Sequence, residues 1–133
     1  MKTKLVQIKT SSNKQVLDIT DVLENYLLEQ PVSEGVLLVN ILHTTAALSM
    51  ADLDPGTDLD MLDAFYAMIP ELDFRHPHNP DHTPDHILAT LIGSDISVPV
   101  SKGGLLMGTW QRPVLFEFDG PRDRKLVINQ ISS

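Results

Sequence analysis

The sequence predicts an α+β fold with a mainly antiparallel β-sheet. Segments with the alternating pattern of strands fill the chain from Ile96 onward, and short turns separate them. Segments with helical spacing, bounded by Pro or Gly, occur before that point. Strands and helices do not alternate strictly along the chain. This order is typical of an antiparallel sheet with helices packed against it, and not of parallel βαβ folds.

The N-terminal segment predicts two strands and a helix. "KLVQIKT" and "QVLDIT" are separated by "SSN", so residues 4–19 are expected to form a β-hairpin. Asp18 or Thr20 is suited to cap a helix over "DVLENYLLEQ", and Pro31 ends it. Apolar residues recur at helical spacing in this segment, so the helix is expected to pack against the rest of the chain.

The middle of the chain predicts one buried strand and two helices. The apolar run over residues 36–42 has the length of a strand and predicts a central, buried one. Pro55 and the acidic residues after it begin a helix that ends at Pro70. Pro84 begins a shorter helix, with Gly93 as its C-terminal stop. The apolar stripe of the first helix consists of Leu59, Leu62, Phe65, Tyr66 and Ile69.

The C-terminal segment predicts four strands, "ISVPV", "LLMGTW", "VLFEFD" and "RKLVINQI". Consecutive strands joined by short turns are expected to pair. By alternation, Val114, Phe116 and Phe118 share one face of their strand, and Leu115 and Glu117 share the other.

Length and composition limit the possible classes of protein. The 133 residues suit a single domain over residues 1–133. No apolar run approaches the ~20 residues that span a bilayer, and no secretory signal is evident, so we expect a cytoplasmic protein without a membrane partner. Cysteine is absent, which excludes disulfides and thiolate chemistry.

The net charge of −8 is concentrated in one segment. Residues 50–85 contain nine Asp or Glu and a single basic residue, Arg75. Nucleic-acid binding needs a cationic face, so this composition argues against it. A segment that also contains most of the histidines suits a divalent cation, and the alternative is a solvated acidic surface.

Polar residues follow the predicted buried strand directly. His43, Thr44 and Thr45 end it, and Asp52 and Asp54 lie just beyond. Polar groups at the end of a strand, backed by an apolar face, are a common site geometry. The alternative for His43 is a core histidine bonded to a backbone carbonyl.

Four of the five histidines lie in the loop "RHPHNPDHTPDH", residues 75–86. His78, His82 and His86 are spaced by four, but Pro80 and Pro84 interrupt any continuous helix. A loop can still fold neutral imidazoles around Zn²⁺ or a similar ion. The alternative is a solvated surface loop.

Trp110 and Glu117 are further candidates for site residues. Trp110 is the chain's single Trp, and Gly108 beside it permits close approach of a ligand. The alternative is a core Trp. Glu117 lies between two Phe residues, so it is either on the solvent side of the sheet or a site carboxylate with a shifted pKa.

Basic residues are candidates for phosphate binding. Lys102 and Arg122 are suited to this role. Arg124 and Lys125 are better explained as ordinary surface charge.

Taken together, "LHTTAALSMAD", "PDH", "LIGSDISVPVSKGGLLMGTWQ" and "EFDGPR" resemble the YjbQ-like family, also known as the secondary thiamine-phosphate synthase family. The resemblance covers nearly the whole chain, and its most specific parts are residues 43–46 and 102–111. It implies a strongly curved antiparallel sheet with two or three helices packed on one side. It also implies a homotrimer with a polar pocket near a subunit interface.

The resemblance also implies roles for particular residues. His43, His76 and His86 match family histidines, and together with Asp52 and Asp81 they are the expected ligands of a divalent metal, Zn²⁺ or Mg²⁺. His78 and His82 match less clearly and are accessory or incidental. The expected catalytic residues are His43, Thr44, Asp54 and Glu117. The expected substrate-binding residues are Thr45, Lys102, Gly108, Thr109, Trp110, Gln111 and Arg122.

The function that the resemblance implies is an enzyme acting on a small, phosphorylated molecule. Thiamine-phosphate synthesis joins a pyrimidine pyrophosphate to a thiazole phosphate and releases pyrophosphate. Mg²⁺ is the ion expected to bind the departing pyrophosphate, and it prefers oxygen ligands, whereas the expected site is rich in histidine. Thiamine-phosphate synthesis is therefore expected to be a secondary activity. Two alternatives stay open: metal-assisted hydrolysis of another molecule, and a non-catalytic trimer that binds a metal or ligand.

Overall fold

The computed structural model describes residues 2–132, which form eight strands, three helices and one 3₁₀ turn. The strands are β1 (Lys4–Lys9), β2 (Gln15–Asp18), β3 (Gly35–Ile41), β4 (Ala46–Ala51), β5 (Asp95–Ser101), β6 (Gly104–Leu105), β7 (Arg112–Glu117) and β8 (Asp123–Ser132). The helices are α1 (Thr20–Glu29), α2 (Thr57–Met68) and α3 (Thr83–Ile92), and the 3₁₀ turn is Pro80–His82.

The strands form two antiparallel sheets. The larger has the order β1-β8-β3-β5-β6, and the smaller has the order β2-β7-β4. Their facing sides and α1 enclose the main apolar core, to which Leu37, Leu126, Leu48, Leu115 and Leu23 belong. The prediction of a curled, antiparallel α+β fold with three helices is confirmed.

The second apolar cluster lies on the other face of the smaller sheet. Phe116 and Phe118 of this face pack with α2 and α3, and the Phe65 ring meets the Phe116 ring edge-on at 5.3 Å. The predicted alternation is therefore confirmed, because Leu115 belongs to the core between the sheets. One member of the predicted stripe of α2 is an exception, since Leu59 is exposed.

The strand ends define two ends of the molecule. β3 and β7 end, and β4, β5 and β8 begin, at what we call the cavity end. The β5–β6 turn and the start of β7 lie at the opposite end, which we call the far end. No helix of residues 2–132 is long and apolar enough to cross a bilayer.

The predicted hairpin over residues 4–19 is wrong. β1 pairs with β8, and β2 pairs with β7 of the other sheet. Thr10 carries the chain from one sheet to the other, and its N–H donates to the Arg122 carbonyl. Partners 96 to 124 residues away in the sequence therefore replace the local pairing. Consecutive β7 and β8 likewise lie in different sheets, whereas β5 and β6 pair as expected.

Two other strand predictions need correction. β4 was not expected, because alanine is depleted in strands and its segment contains three. Of the predicted strand "LLMGTW", only Leu105 lies in a strand, β6, which begins at Gly104. The chain turns instead, because the Gly108 N–H donates to Gln111 Oε1 at 2.8 Å and the Gln111 N–H donates to the Gly108 carbonyl at 3.2 Å. The helix predicted before Gly93 is confirmed, and Gly93 has a φ of 110°.

Candidate functional site

A polar cavity of about 730 Å³ opens at the cavity end of the molecule. It lies where the segment after β3, the start of α3 and the β7–β8 connection meet. We call it the His–Arg cavity. Its lining residues are Leu42, His43, Thr44, Thr45, His82, His86, Asp119, Arg122, Asp123 and Arg124.

His86 presents one unoccupied ring nitrogen. It lies on the first turns of α3, and its Nδ1 is 3.0 Å from the Thr44 carbonyl oxygen. A carbonyl oxygen only accepts, so Nδ1 carries the proton that is donated in this bond. Within residues 2–132, Nε2 makes no hydrogen bond. Neutral His86 therefore presents a free lone pair that can accept a proton.

His43 has the opposite arrangement. It lies outside β3, and its Nε2 accepts the Lys125 N–H at 2.8 Å. A backbone N–H only donates, so the proton of neutral His43 is on Nδ1. Burial lowers the pKa of His43, and the nearby Arg124 guanidinium lowers it further. His43 is thus a neutral imidazole near pH 7, with an N–H available for donation.

A buried ion pair borders the cavity. The Arg124 Nε–H donates to Glu117 Oε2 at 2.8 Å, and Nη2 donates to Glu117 Oε1 and to Thr45 Oγ1. Arg124 is only 1% exposed, so the expectation of an ordinary surface charge was wrong. Glu117 is on the side of the sheet away from solvent, and it is completely buried.

The network fixes the charge of Glu117. Burial by itself raises the pKa of this carboxyl, but hydrogen bonds from Arg124, from the Asp119 N–H and from Thr10 together hold it below the usual value. The Thr10 hydroxyl donates to Oε2 at 2.8 Å. Glu117 is therefore an ionised carboxylate that orients Arg124 and does not reach the cavity.

Arg122 forms the cationic part of the cavity rim. Its Nη2 donates to Asp119 Oδ2 at 2.9 Å, and its Nε–H donates to the Asp119 carbonyl at 2.7 Å. Roughly half of its side chain stays exposed. The His82 Nδ1 is 3.6 Å from the same Asp119 oxygen. The rim thus combines a partly exposed guanidinium with a histidine.

One group of residues satisfies the distances of a metal site. Ligand atoms of His82, Asp85 and Asp119 lie within 4.8 Å of one another. However, the Lys14 ammonium donates to Asp85 Oδ1 at 2.8 Å, and the Tyr66 hydroxyl donates to the same oxygen at 2.8 Å. Asp119 is already paired with Arg122. Chain cations neutralise both carboxylates, so these residues do not fit a resident metal.

The five predicted metal ligands are not brought together. His76 stacks on His86 with ring centroids 5.0 Å apart, but its Nδ1 accepts the Asn79 N–H at 3.2 Å. His43 also accepts a backbone N–H, so His86 alone of the three offers a free lone pair. Asp81 is exposed on the 3₁₀ turn and does not line the cavity, and Asp52 follows the end of β4 at the far end. His78 is exposed and also lies outside the cavity lining.

The predicted catalytic and substrate-binding residues separate into two groups. At the cavity end lie His43, Thr44, Thr45, Glu117 and Arg122. At the far end lie Asp54, Lys102, Gly108, Thr109, Trp110 and Gln111. The length of β7 separates the two groups by roughly 17 Å. The residues of one chain therefore do not form a single site.

Trp110 is 71% exposed, so its alternative assignment as a core residue is wrong. The closed turn of residues 108–111 presents its ring to solvent.

The sequence interpretation missed Arg124, Lys14 and Asp85. A signal was present for Arg124, because it is in phase with the buried Leu126 and Ile128 of the same strand. An arginine at an inward position of an alternating strand predicts a buried partner. Lys14 and Asp85 are 71 residues apart, and no local pattern connects them.

Comparison with known proteins identifies relatives over the whole chain. The family described as "UPF0047 protein YjbQ-like" matches residues 4–133. The chain is 36% identical over 129 residues to the UPF0047 protein YugU of Bacillus subtilis, covering 96% of this chain and 98% of that protein. It is 34% identical over 125 residues to a UPF0047 protein of Archaeoglobus fulgidus, covering 93% and 97%.

A solved structure has the same fold. The crystal structure of a hypothetical protein from Aeropyrum pernix K1 matches with a TM-score of 0.90 and 31% identity, covering 100% of both chains.

Proposed function

This chain belongs to the YjbQ-like UPF0047 family, and we propose that it is an enzyme acting on a small phosphorylated molecule in the His–Arg cavity. The observation that carries this proposal is the pair of histidines with complementary proton positions. His86 offers a lone pair on Nε2, and His43 offers a proton on Nδ1. A positioned imidazole lone pair can act as a general base, and a neutral imidazole N–H stabilises developing negative charge as a hydrogen-bond donor.

The cavity also suits an anionic substrate. Its volume falls within the usual range of small-molecule sites, about 300–1,000 Å³. Arg122 lies at the rim with roughly half of its side chain exposed, and a guanidinium matches the geometry of phosphate oxygens. Stabilising a departing phosphate or pyrophosphate is the contribution expected from such a group.

Thiamine-phosphate synthesis is the specific reaction that we propose to test, as a main or a secondary activity. In this reaction the thiazole nitrogen attacks the methylene carbon of the pyrimidine substrate, and the bond from that carbon to the pyrophosphate breaks. The pyrophosphate leaves with the electron pair, and no oxidant or reductant is needed. We propose that Arg122 binds the departing anion and that the His43 Nδ1–H donates a hydrogen bond to it, without transfer of the proton.

A divalent metal is part of the proposal only as a companion of the substrate. The expected ligands do not converge, and Lys14 and Arg122 neutralise the nearest pair of carboxylates. Mg²⁺ commonly binds through substrate phosphates with few protein ligands. We therefore propose that Mg²⁺ enters with the pyrophosphate, and that no Zn²⁺ resides in the chain.

We further propose that the protein is a homotrimer in which the far end of one copy completes the cavity of the next. The resemblance to the family supports the trimer. The separation of Trp110 from the cavity supports a head-to-tail contact, which closes into a ring. Exposed Leu5, Leu106 and Ile131, on the outer face of the larger sheet, are proposed to belong to the same contact between copies.

The decisive experiment incubates the pure protein with both thiamine precursors and Mg²⁺ and measures thiamine phosphate. His43→Ala removes a hydrogen-bond donor to the departing anion and is expected to lower the rate by roughly 100-fold. His86→Ala removes the free acceptor of the cavity and is expected to weaken substrate binding. His78→Ala is the matched control, because His78 belongs to the same loop but does not line the cavity. Product formation by wild type no greater than by His43→Ala would reject the synthase reaction. Binding of the precursors without turnover would instead indicate a binding protein.

A further inference from the structure

We propose that Arg124 binds an oxyanion, a phosphoryl group of the substrate, through its Nη1 at the floor of the His–Arg cavity. Glu117 and Thr45 hold the guanidinium in place for this purpose. The inference rests on the proposed function and extends it, since it names the group that the floor of the cavity recognises and gives Glu117 a positioning role.

The first argument is the position of Arg124. Arginine is almost never fully buried without a specific reason. Here the side chain has 2% of its surface exposed, and the residue lines the cavity. The small part of this side chain that stays accessible to solvent therefore faces the cavity.

The second argument is the number of its hydrogen bonds. Arg124 Nε donates to Glu117 Oε2, and Nη2 donates to Glu117 Oε1, to Thr45 Oγ1 at 2.9 Å and to the Thr45 carbonyl at 3.2 Å. Among the described residues, no partner accepts from Nη1. The only fully enclosed side-chain N or O of residues 2–132 that lacks a partner is Thr83 Oγ1. Nη1 is therefore not enclosed, and we infer that it faces the cavity.

The third argument is the environment of Glu117. Its Oε2 accepts from Thr10 Oγ1 and its Oε1 accepts from the Asp119 N–H, in addition to Arg124. The carboxylate is completely buried, so it cannot contact a molecule in the cavity. Glu117 offsets the charge of the guanidinium and fixes its plane, which leaves the Nη1 edge preorganised for an anion.

The anionic groups of the cavity do not block this position. Asp119 is paired with Arg122, and Asp123 is exposed at the start of β8. His43 lines the same cavity, and it is a neutral imidazole with a proton on Nδ1. A phosphoryl group at Nη1 would therefore lie in a cavity that His43 and Arg122 also line.

The test is titration of the full-length protein with pyrophosphate, measured by calorimetry. Arg124→Gln by itself leaves Glu117 buried and unpaired, and this variant is at risk of unfolding. The double variant Arg124→Gln with Glu117→Gln removes both charges at similar volume. It is expected to bind pyrophosphate at least about tenfold more weakly than wild type. Lys125→Gln is the control, because it removes a neighbouring exposed cation and keeps the backbone N–H that His43 accepts.

Two further arms identify the ligand chemistry. Malonate at the same concentrations distinguishes a carboxylate site from a phosphoryl site, and equal affinity for both would contradict the phosphoryl assignment. A wild-type crystal soaked with pyrophosphate needs no variant. An oxygen at about 3 Å from Arg124 Nη1 is expected, and pyrophosphate bound elsewhere would overturn the inference.

The outcomes separate this inference from the proposed enzyme. Affinity of the double variant within about twofold of wild type, or no binding by wild type, would overturn the role of Arg124. If the double variant binds as wild type while His43→Ala abolishes turnover, the enzyme stands and the Arg124 role falls. If pyrophosphate binds through Arg124 but no thiamine phosphate forms, the Arg124 role stands and the named reaction falls.

Discussion

Arg124 and Glu117 join the two sheets of the molecule through a buried ion pair. Arg124 belongs to β8 of the larger sheet, and Glu117 belongs to β7 of the smaller one. Both side chains lie at the cavity end, where the sheets meet. The pair therefore links the stability of the fold to the shape of the proposed anion site.

Glu117→Gln is expected to destabilise the protein by about 3–5 kcal/mol, because it leaves the Arg124 charge buried without its partner. The double variant with Arg124→Gln is expected to recover part of this loss, since both charges are removed. Urea unfolding at pH 7 measures both changes. Losses of the single variants that simply add in the double variant would contradict a direct pairing.

The stability of the protein is expected to depend on His43 below pH 6.5. The pKa of His43 is lowered from 6.5 by burial and by Arg124, so the unfolded chain takes up this proton before the folded chain does. The resulting penalty is absent above pH 6.5, grows as the pH falls from 6.5 to the lowered pKa, and stays constant below that pKa. His43→Gln should therefore gain stability relative to wild type as the pH falls.

Urea midpoints measured from about pH 8 to about pH 5 check this expectation. His78→Gln is the control, because His78 is exposed and lies outside the cavity. A difference between wild type and His43→Gln that stays constant over this range would contradict the lowered pKa of His43.

Much of the fold follows from local patterns, whereas the site depends on distant partners. The apolar run of β3, the Gly93 stop of α3 and the alternation along β7 are all readable in single segments. The burial of Arg124 depends on Glu117 in another sheet, and the proton position of His43 depends on a backbone N–H of β8. These contacts become visible only when the pairing of the strands is known.

Gly120→Ala is expected to destabilise the protein by about 1–3 kcal/mol through overpacking. A Cβ at this position would lie 2.3 Å from the Ser12 carbonyl oxygen and 2.8 Å from Glu117 Cγ. The backbone oxygen cannot move away easily, so the strain is transmitted to Glu117. Gly104→Ala is the matched control, because a Cβ there meets nothing within 4 Å. Equal urea midpoints for the two variants would show that the contact at Gly120 is relaxed at little cost.

Lys14→Met is expected to create a weak site for a divalent cation. The Lys14 ammonium lies 2.8 Å from Asp85 Oδ1 and 4.8 Å from the centre of the Tyr66 ring, in the position that a cation would take. Without this ammonium, the Asp85 carboxylate has no counter-charge, and it lies beside His82 and Asp119. Zinc content after dialysis should be negligible in wild type and measurable in Lys14→Met. Adding Asp85→Asn should abolish the gain, and stoichiometric zinc in wild type would contradict the absence of a resident metal.

Trp110 provides the test of the proposed assembly. Sedimentation should give a mass of about 44 kDa, three times the 14.8 kDa of one chain. As the chain's single Trp, it should also show the blue-shifted fluorescence of a buried ring, although it is 71% exposed in one chain.

Trp110→Ala is expected to shift the mass towards a single chain and to lower turnover, because the far end of one copy then no longer covers the cavity of the next. Leu91→Ala is the matched control, since Leu91 is 69% exposed on α3, which packs on the face of the smaller sheet opposite the main core, and Leu91 does not line the cavity. A wild-type mass near that of one chain would reject the trimer. A trimer that survives Trp110→Ala with full turnover would place Trp110 outside the contact, and the cavity of each chain would then have to act without the far end of its neighbour.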